Sequence, residues 1–115
     1  RVYRERGELP GRLGEGWRVH ARWRCLTGDA QTGLVWARLA RQLGRPEYRD
    51  VARQIADDLR ATQFIRPGWP DISGALQGSA PHWGDYDGYR YPTHAAKFML
   101  DLILALRDED PVPRI

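Results

Sequence analysis

Two carboxylates and two histidines fall within one stretch of the sequence, GALQGSAPHWGDYDGYRYPTHAAKF, which covers residues 74–98. Hydrolysis of a glycosidic bond needs two carboxyl groups, one acting as the acid and the other as the base or nucleophile. Asp85 and Asp87 form such a pair, and His82 could add a general acid or base. We therefore consider Asp85, Asp87 and His82 candidate catalytic residues. The alternative is that Asp87 serves turn geometry and that Asp85 caps a backbone amide.

Aromatic residues surround these polar groups in the sequence. A sugar ring has an apolar face and a rim of hydroxyls, so a site for it combines flat aromatic rings with a few placed polar groups. The pattern predicts a substrate-binding surface formed by Trp69, Trp83, Tyr86, Tyr89 and His94. The alternative is that the same rings are buried and seal the end of a helical barrel.

A metal site and a nucleophilic cysteine have less support in the sequence than the carboxylate pair. His82 and His94 lack further His, Cys or carboxylate residues at metal-ligand spacing, so neither a metal nor another cofactor is expected. Cys25 is the single cysteine, which excludes an internal disulfide framework. It could act as a nucleophile only beside a base such as His20, and a small apolar role is the favoured interpretation.

The charge pattern argues against a nucleic-acid partner, and the lack of a long apolar run argues against a membrane span. The 18 basic and 15 acidic residues are interleaved and leave a net charge of +3, and no basic helix face is expected. No apolar run approaches the roughly 18 residues that a membrane-spanning helix needs. The sequence starts at Arg1 without a leader pattern, as in a processed chain or a piece of a longer protein, so the compartment stays open.

Helical periodicity predicts an all-α fold in a single domain of residues 1–115. A helical hairpin is predicted over residues 27–63 and a third helix over residues 92–108. The first helix of the hairpin has an N-cap oxygen in Thr27 or Asp29. The turn signals and the apolar face of the second helix are given by Gly44, Pro46, Tyr48, Val51, Ala52, Ile55 and Leu59.

Three segments outside the helices are predicted to be irregular. Residues 1–26 form a glycine-rich arm, and residues 109–115 form a loose tail. Residues 64–91 form a long ordered loop rich in Gly, Trp and Tyr, in which Asp87 and Gly88 make a tight hairpin turn. The aromatic residues expected to tether the arm to the helices are Tyr3, Trp17 and Trp23.

The segment CLTGDAQTGLVWARLARQLGRPEYRDVARQIADDLRATQ resembles one hairpin of the (α/α) toroid proteins, which include six-hairpin glycosidases, sugar epimerases and terpene-cyclase-like repeats. The matching features are the GDAQ entry, the short GRPEY turn and the alanine-rich second helix. Residues 74–98 look like the loop and helix of an uncharacterised toroid subgroup that is associated with bacterial polysaccharide metabolism. The resemblance implies a fragment of a toroid-like array, because a complete toroid contains several such hairpins.

Two functions follow as expectations. The resemblance and the loop residues favour a carbohydrate-related helical domain that binds or processes polysaccharide, with the reaction, if any, left open. The alternative is a non-catalytic helical interaction or oligomerisation module, in which the loop aromatics bury against a partner chain. Three helices with broad apolar stripes have only each other to pack against, so a homo-oligomer or missing partner hairpins are also expected.

Overall fold

The computed structural model describes residues 1–107, and the predicted tail over residues 109–115 lies outside the described residues. The described chain is mostly helical, as predicted, with one small antiparallel sheet. No helix in this part of the chain is long and apolar enough to cross a membrane. The elements are α1 (Val2–Arg6), a 3₁₀ turn (Glu15–Trp17), β1 (Arg24–Cys25), α2 (Leu26–Leu43), α3 (Pro46–Thr62), β2 (Ser79–Ala80) and α4 (Thr93–Arg107).

The helical hairpin begins and ends where local backbone chemistry requires it. Gly44 adopts a left-handed φ of 61° after the last residue of α2, and its N–H donates to the carbonyl of Ala40. Pro46 occupies the first turn of α3, where no N–H is needed. The N-cap of α2 differs from the prediction: Cys25 takes this position, and its Sγ accepts a hydrogen bond from the Gly28 N–H at 3.3 Å.

Helix α2 lies at the centre of the helical layer, which we define as α2, α3 and α4. It packs against both other helices, whereas α3 and α4 contact each other less. A Cβ on Gly33 would lie 2.8 Å from Leu102 Cδ2 and 3.1 Å from Ile55 Cγ2, so the three helices pack closely at this glycine. The buried aliphatic core is formed by Leu26, Ala30, Leu34, Ala37, Ala52, Ile55, Ala56, Leu59, Leu76, Ala95, Met99 and Leu102.

The N-terminal arm is more regular than predicted. It contains α1, and an isolated antiparallel bridge joins Leu13 to Val19 around the 3₁₀ turn. Tyr3 packs against the core as expected. Trp17 was expected to tether the arm, but this was wrong: its side chain is 67% exposed, because it lies at the tip of the turn with a left-handed φ of 64°.

The arm and the long loop meet in the two-stranded sheet. Arg24 pairs with Ala80 and Cys25 pairs with Ser79 in an antiparallel register. The molecule measures 43 × 42 × 18 Å along its principal axes. The molecule is therefore flat, and the helical layer exposes large apolar side chains that include Val35, Leu43, Leu100 and Leu104.

Candidate functional site

The long loop is anchored by backbone hydrogen bonds at the edge of the sheet. The Leu26 N–H donates to the Gly78 carbonyl at 3.1 Å, where α2 begins. The Gly78 N–H in turn donates to the Arg90 carbonyl at 3.0 Å, which closes the segment between them into a compact turn. The start of α2 therefore fixes both ends of residues 78–90.

Close backbone approaches hold this turn in one conformation. The Ser79 hydroxyl donates to the Tyr86 carbonyl at 2.7 Å. A Cβ on Gly84 would lie 2.6 Å from Ser79 Cβ and 2.8 Å from Trp23 Cβ, so the turn fits against the arm only with glycine there. Trp23 thus brings the arm close to the long loop, whereas the prediction was that it would tether the arm to the helices.

A row of aromatic rings crosses the loop. The ring centroid of His82 lies 5.4 Å from that of Tyr89 and 5.3 Å from that of Tyr91. Tyr91 continues the row to Phe64, with 6.0 Å between the ring centroids. These separations are typical of favourable aromatic pairs, so the row braces the loop from residue 64 to residue 91.

A polar cluster lies at the junction of the loop with α4. The Tyr86 hydroxyl and His94 Nε2 share a hydrogen bond of 2.9 Å. Asp87 Oδ2 lies 3.7 Å from the same nitrogen, and Arg90 Nη1 lies 3.9 Å from Asp87 Oδ1. His94, in the first turn of α4, therefore contacts both a hydroxyl and a carboxylate.

The predicted Asp-Gly hairpin turn is displaced by one residue. The Arg90 N–H donates to the Asp87 carbonyl at 3.1 Å, which places Gly88 and Tyr89 at the centre of the turn. No strand flanks it within residues 81–92, so the turn is not part of a hairpin. Asp87 and Tyr89 adopt positive φ values of 45° and 60°, an uncommon conformation for residues with side chains. The anchors on both sides of the turn hold the backbone in this conformation.

The candidate catalytic residues occupy three different environments. Asp85 is exposed, whereas Asp87 is half-buried beside His94. His82 lies in the aromatic row, and its Nδ1 atom is buried without a hydrogen-bond partner among the described residues. The structure therefore joins Asp87 to His94 and places His82 between tyrosine rings.

The candidate substrate-binding residues are exposed rather than buried. Trp83 is 52% and Tyr89 is 72% exposed, and Tyr86 lies between them in sequence with its hydroxyl on His94. Trp69 is 62% exposed but belongs to another turn, which the Phe64 and Ala75 bridge closes. We call Trp83, Tyr86, Asp87, Tyr89 and His94 the loop surface.

A second polar group lies between the arm and the helices, and sequence reasoning missed it. Arg24 donates from Nε at 3.0 Å and from Nη2 at 2.7 Å to the same oxygen of Asp29. The Tyr3 hydroxyl donates to Asp58 Oδ2 at 3.2 Å. Asp29 had been interpreted as a helix cap; its partner Arg24 lies before the helix, and the local pattern contains no signal for this pair.

Burial sets the protonation behaviour of this polar group. Desolvation raises the pKa of Asp29 to about 6, although the charge and hydrogen bonds of Arg24 oppose the shift. Burial and the neighbouring Asp58 carboxylate raise the pKa of Tyr3 to about 12. These groups have structural partners and bind the arm to α2 and α3.

Neither a reactive thiol nor a metal site emerges from the described residues. Burial raises the pKa of the Cys25 thiol, which disfavours the thiolate that nucleophilic attack needs. Within residues 1–107, no three His, Cys, Asp or Glu side chains converge as metal ligands would. No family model, curated protein or solved structure matches the chain.

Proposed function

We propose that this chain is a carbohydrate-binding helical domain whose loop surface contacts the sugar. The observation that carries the proposal is the exposure of Trp83 and Tyr89 on a turn whose backbone is fixed at both ends. Burial of aromatic rings of this size is favourable. Because the turn holds these two rings in solvent, they are available for contact with a ligand. Stacking of a sugar ring on such a face would bury this area.

The polar members of the loop surface supply the second half of a sugar site. Tyr86 and His94 already exchange a hydrogen bond, and Asp87 lies close to the same imidazole. A hydroxyl, an imidazole and a carboxylate together can donate and accept hydrogen bonds along a rim of sugar hydroxyls. In this proposal Asp87 and His94 bind the ligand, and no hydrolytic role is assigned to Asp85, which lies exposed.

The architecture proposed with this function is an arc of a toroid-like helical array. The helical layer is thin, and it exposes Val35 and Leu43 on α2 and Leu100 and Leu104 on α4. Further hairpins packed beside or against the layer would cover such residues. The resemblance of the α2–α3 hairpin to toroid proteins agrees with this arrangement.

A binding screen with neutral and acidic oligosaccharides on an array tests the proposal. Wild type is expected to bind at least one class, and Trp83→Ala is expected to weaken that binding about fivefold, since a ring of this kind contributes on the order of 1 kcal/mol through stacking. Trp17→Ala is the control, because Trp17 is also more than half exposed, at 67% against 52% for Trp83, but lies on the arm. Equal absence of binding by wild type and Trp83→Ala would contradict the proposal.

The second candidate is an oligomerisation module in which the same loop aromatics bury against another copy of the chain. It is favoured by the number of exposed large apolar side chains, which include Ile65 and Trp69 besides the loop surface. Sedimentation equilibrium over a wide concentration range separates the two candidates. A dimer that Trp83→Ala dissociates supports the module, whereas a monomer at all concentrations supports the sugar site.

A further inference from the structure

A cavity of about 550 Å³ lies between the arm and α2. This volume falls within the range of roughly 300 to 1,000 Å³ that is typical of small-molecule pockets. The lining comes from three segments, which are α1, the stretch around the 3₁₀ turn and the middle of α2. Most of the lining side chains are aliphatic or aromatic: Val2, Tyr3, Leu9, Leu13, Trp17 and Trp36. None of them belongs to the loop surface, so the cavity is separate from the proposed sugar site.

Two of the aromatic walls are held in place by contacts made outside the cavity. The Trp36 ring packs on Tyr48 of α3, with 4.8 Å between the ring centroids. The Tyr3 hydroxyl donates to Asp58 of α3 at 3.2 Å. Both Tyr3 and Trp36 also pack against the buried core. Side chains that are fixed before binding lose little conformational entropy when a ligand arrives, so these two walls are pre-organised for one.

The third ring of the lining, Trp17, adopts an unfavourable backbone conformation. Its φ of 64° is left-handed, which is uncommon for a bulky residue, and its side chain is 67% exposed. The Gly14 N–H donates to the Arg18 carbonyl at 2.7 Å and holds the turn in this shape. Burial within the described chain offsets little of this strain, whereas a molecule in the cavity would cover the indole ring. Strained residues of this kind cluster at ligand sites.

The charge around the cavity favours an anion. Among the described residues that line the cavity, Arg1 alone is charged, and no Asp or Glu takes part. The Arg1 guanidinium lies 3.2 Å from Glu5, but both side chains are mostly exposed, so this pair is weak and an anionic ligand competes with it. Residues 1–23 contain six arginines and only three glutamates, so the arm as a whole attracts negative charge.

We propose that this cavity binds a small molecule that consists of flat aromatic rings with one acidic group, as in an aromatic carboxylate or sulfonate. The rings of the ligand pack against Trp17 and Trp36 in the offset or edge-on arrangements that aromatic pairs prefer. The acidic group pairs with Arg1 through charge-assisted hydrogen bonds. A ligand of this class uses the aromatic walls and the cation together.

Two other anionic occupants use only part of this lining. A fatty acid would satisfy the cation, but its aliphatic chain gains nothing from the ring-on-ring packing that three aromatic walls offer. A single-stranded nucleic acid would contact the arginines through its phosphates, and this contact extends along the arm instead of into the cavity. Both occupants are therefore included in the test as competitors.

The test uses the whole chain and anilinonaphthalene sulfonate, a flat aromatic acid whose fluorescence rises in an apolar site. We expect saturable binding of one molecule per chain. Trp17→Ala is expected to weaken binding about fivefold, because it removes one stacking surface and this exposed side chain is not part of the core. Trp69→Ala is the matched control, since Trp69 is 62% exposed and lies outside the lining.

Two further variants test the space and the charge separately. Thr32 is half-buried in the lining, so the larger side chain of Thr32→Phe is expected to occupy the cavity and abolish binding. Circular dichroism verifies that this variant keeps its helices. Arg1→Gln is expected to weaken binding of the sulfonate about threefold, as one exposed charge pair would. It should leave binding of phenylnaphthylamine, the analogue without the sulfonate, unchanged.

The pattern of losses decides the result. Equal weakening by Trp17→Ala and Trp69→Ala, or full binding by a folded Thr32→Phe, would overturn the proposal. So would a neutral analogue that binds wild type as tightly as the sulfonate does. Displacement of the sulfonate by an equal concentration of decanoate or of a single-stranded oligonucleotide would assign the site to another ligand class. Trp83→Ala is expected to leave sulfonate binding unchanged, so failure here is distinguishable from failure of the sugar site.

Discussion

The helical layer and the segments that cover it are stabilised by different interactions. The layer buries a continuous set of aliphatic side chains such as Leu26, Ile55 and Leu102. The covering segments, residues 1–25 and 63–92, contribute Leu76 to the core cluster and pack Tyr3, Leu9 and Ala80 against it. They are further held by hydrogen bonds, ring contacts and close glycine contacts. Burial of apolar area is non-directional, whereas these contacts require particular backbone geometry.

Polar pairs join the two regions. Arg24 in the arm is paired with Asp29 in α2, and Tyr3 in α1 is hydrogen-bonded to Asp58 in α3. Helices formed by burial thus carry a cover held mainly by directional contacts, on which Trp83 and Tyr89 are exposed even though the Tyr89 ring also packs against His82. Four substitutions test this difference, from the largest expected effect to the smallest.

Leu102→Ala is expected to lower the free energy of unfolding by about 3 kcal/mol, because Leu102 is fully buried between α2 and α3 and the truncation leaves a cavity. Urea denaturation followed by circular dichroism measures it. Leu100→Ala on the same helix is the control, with an expected change below about 0.5 kcal/mol, since Leu100 is 55% exposed. Similar losses for both variants would mean that α4 does not bury the face described.

The Asp29 carboxyl group, which pairs with Arg24 of the arm, is expected to make the free energy of unfolding depend on pH. Its pKa is raised from 3.8 to about 6 on folding, so between these values the folded chain binds more protons than the unfolded chain. The protonated Asp29 carboxyl therefore contributes to the free energy of unfolding at pH values below 3.8. This contribution falls by up to about 3 kcal/mol as the pH rises from 3.8 through about 6. The measurement compares unfolding of wild type and Asp29→Asn at pH 4, 5, 6 and 7. A difference that stays constant across this range would contradict the assignment.

Gly84→Ala is expected to destabilise the cover by about 1 to 3 kcal/mol, because the added methyl would overlap Ser79 and Trp23. Near-ultraviolet circular dichroism should change while the helical signal is retained. Gly68→Ala is the matched control, since a Cβ there meets no atom within 4 Å. Loss of helical signal in Gly84→Ala would show that the layer depends on the cover.

Tyr3→Phe is expected to cost about 1 kcal/mol, the usual net contribution of one hydrogen bond, because Asp58 loses the hydroxyl that donates to it. Tyr89→Phe should leave stability unchanged, since this side chain is 72% exposed. Thermal unfolding of both variants in parallel measures the difference. Equal melting temperatures would show that the Tyr3 hydroxyl does not hold the arm.

The helices were predictable because their signals are local. Apolar spacing, Gly44 and Pro46 act within a few residues of the backbone that they shape, and the structure confirms the hairpin and the third helix. The cap of α2 was wrong, because the sulfur of Cys25 performs the role expected of an oxygen from Thr27 or Asp29. Capping preferences describe single residues, so they do not reveal that the Asp29 carboxylate is paired with Arg24.

Parts of the candidate site were predictable as residue types but not as an arrangement. Residues 74–98 contain Tyr86, Asp87 and His94, and the sequence drew attention to all three. Their contacts depend on the link between Gly78 and Arg90, which draws the two ends of the turn together. Trp69 lies outside the segment that this link encloses, on the turn between Phe64 and Ala75.

The sequence by itself determined the helical hairpin and the third helix, though not α1, and which residues carry aromatic and polar chemistry, because periodicity is a property of neighbouring residues. Only the tertiary structure decided that Trp83 and Tyr89 are exposed, that Asp29 is buried against Arg24, and that Tyr86 and Asp87 lie beside His94. Exposure, ion pairing and grooves arise between segments distant in the chain, so no local pattern specifies them.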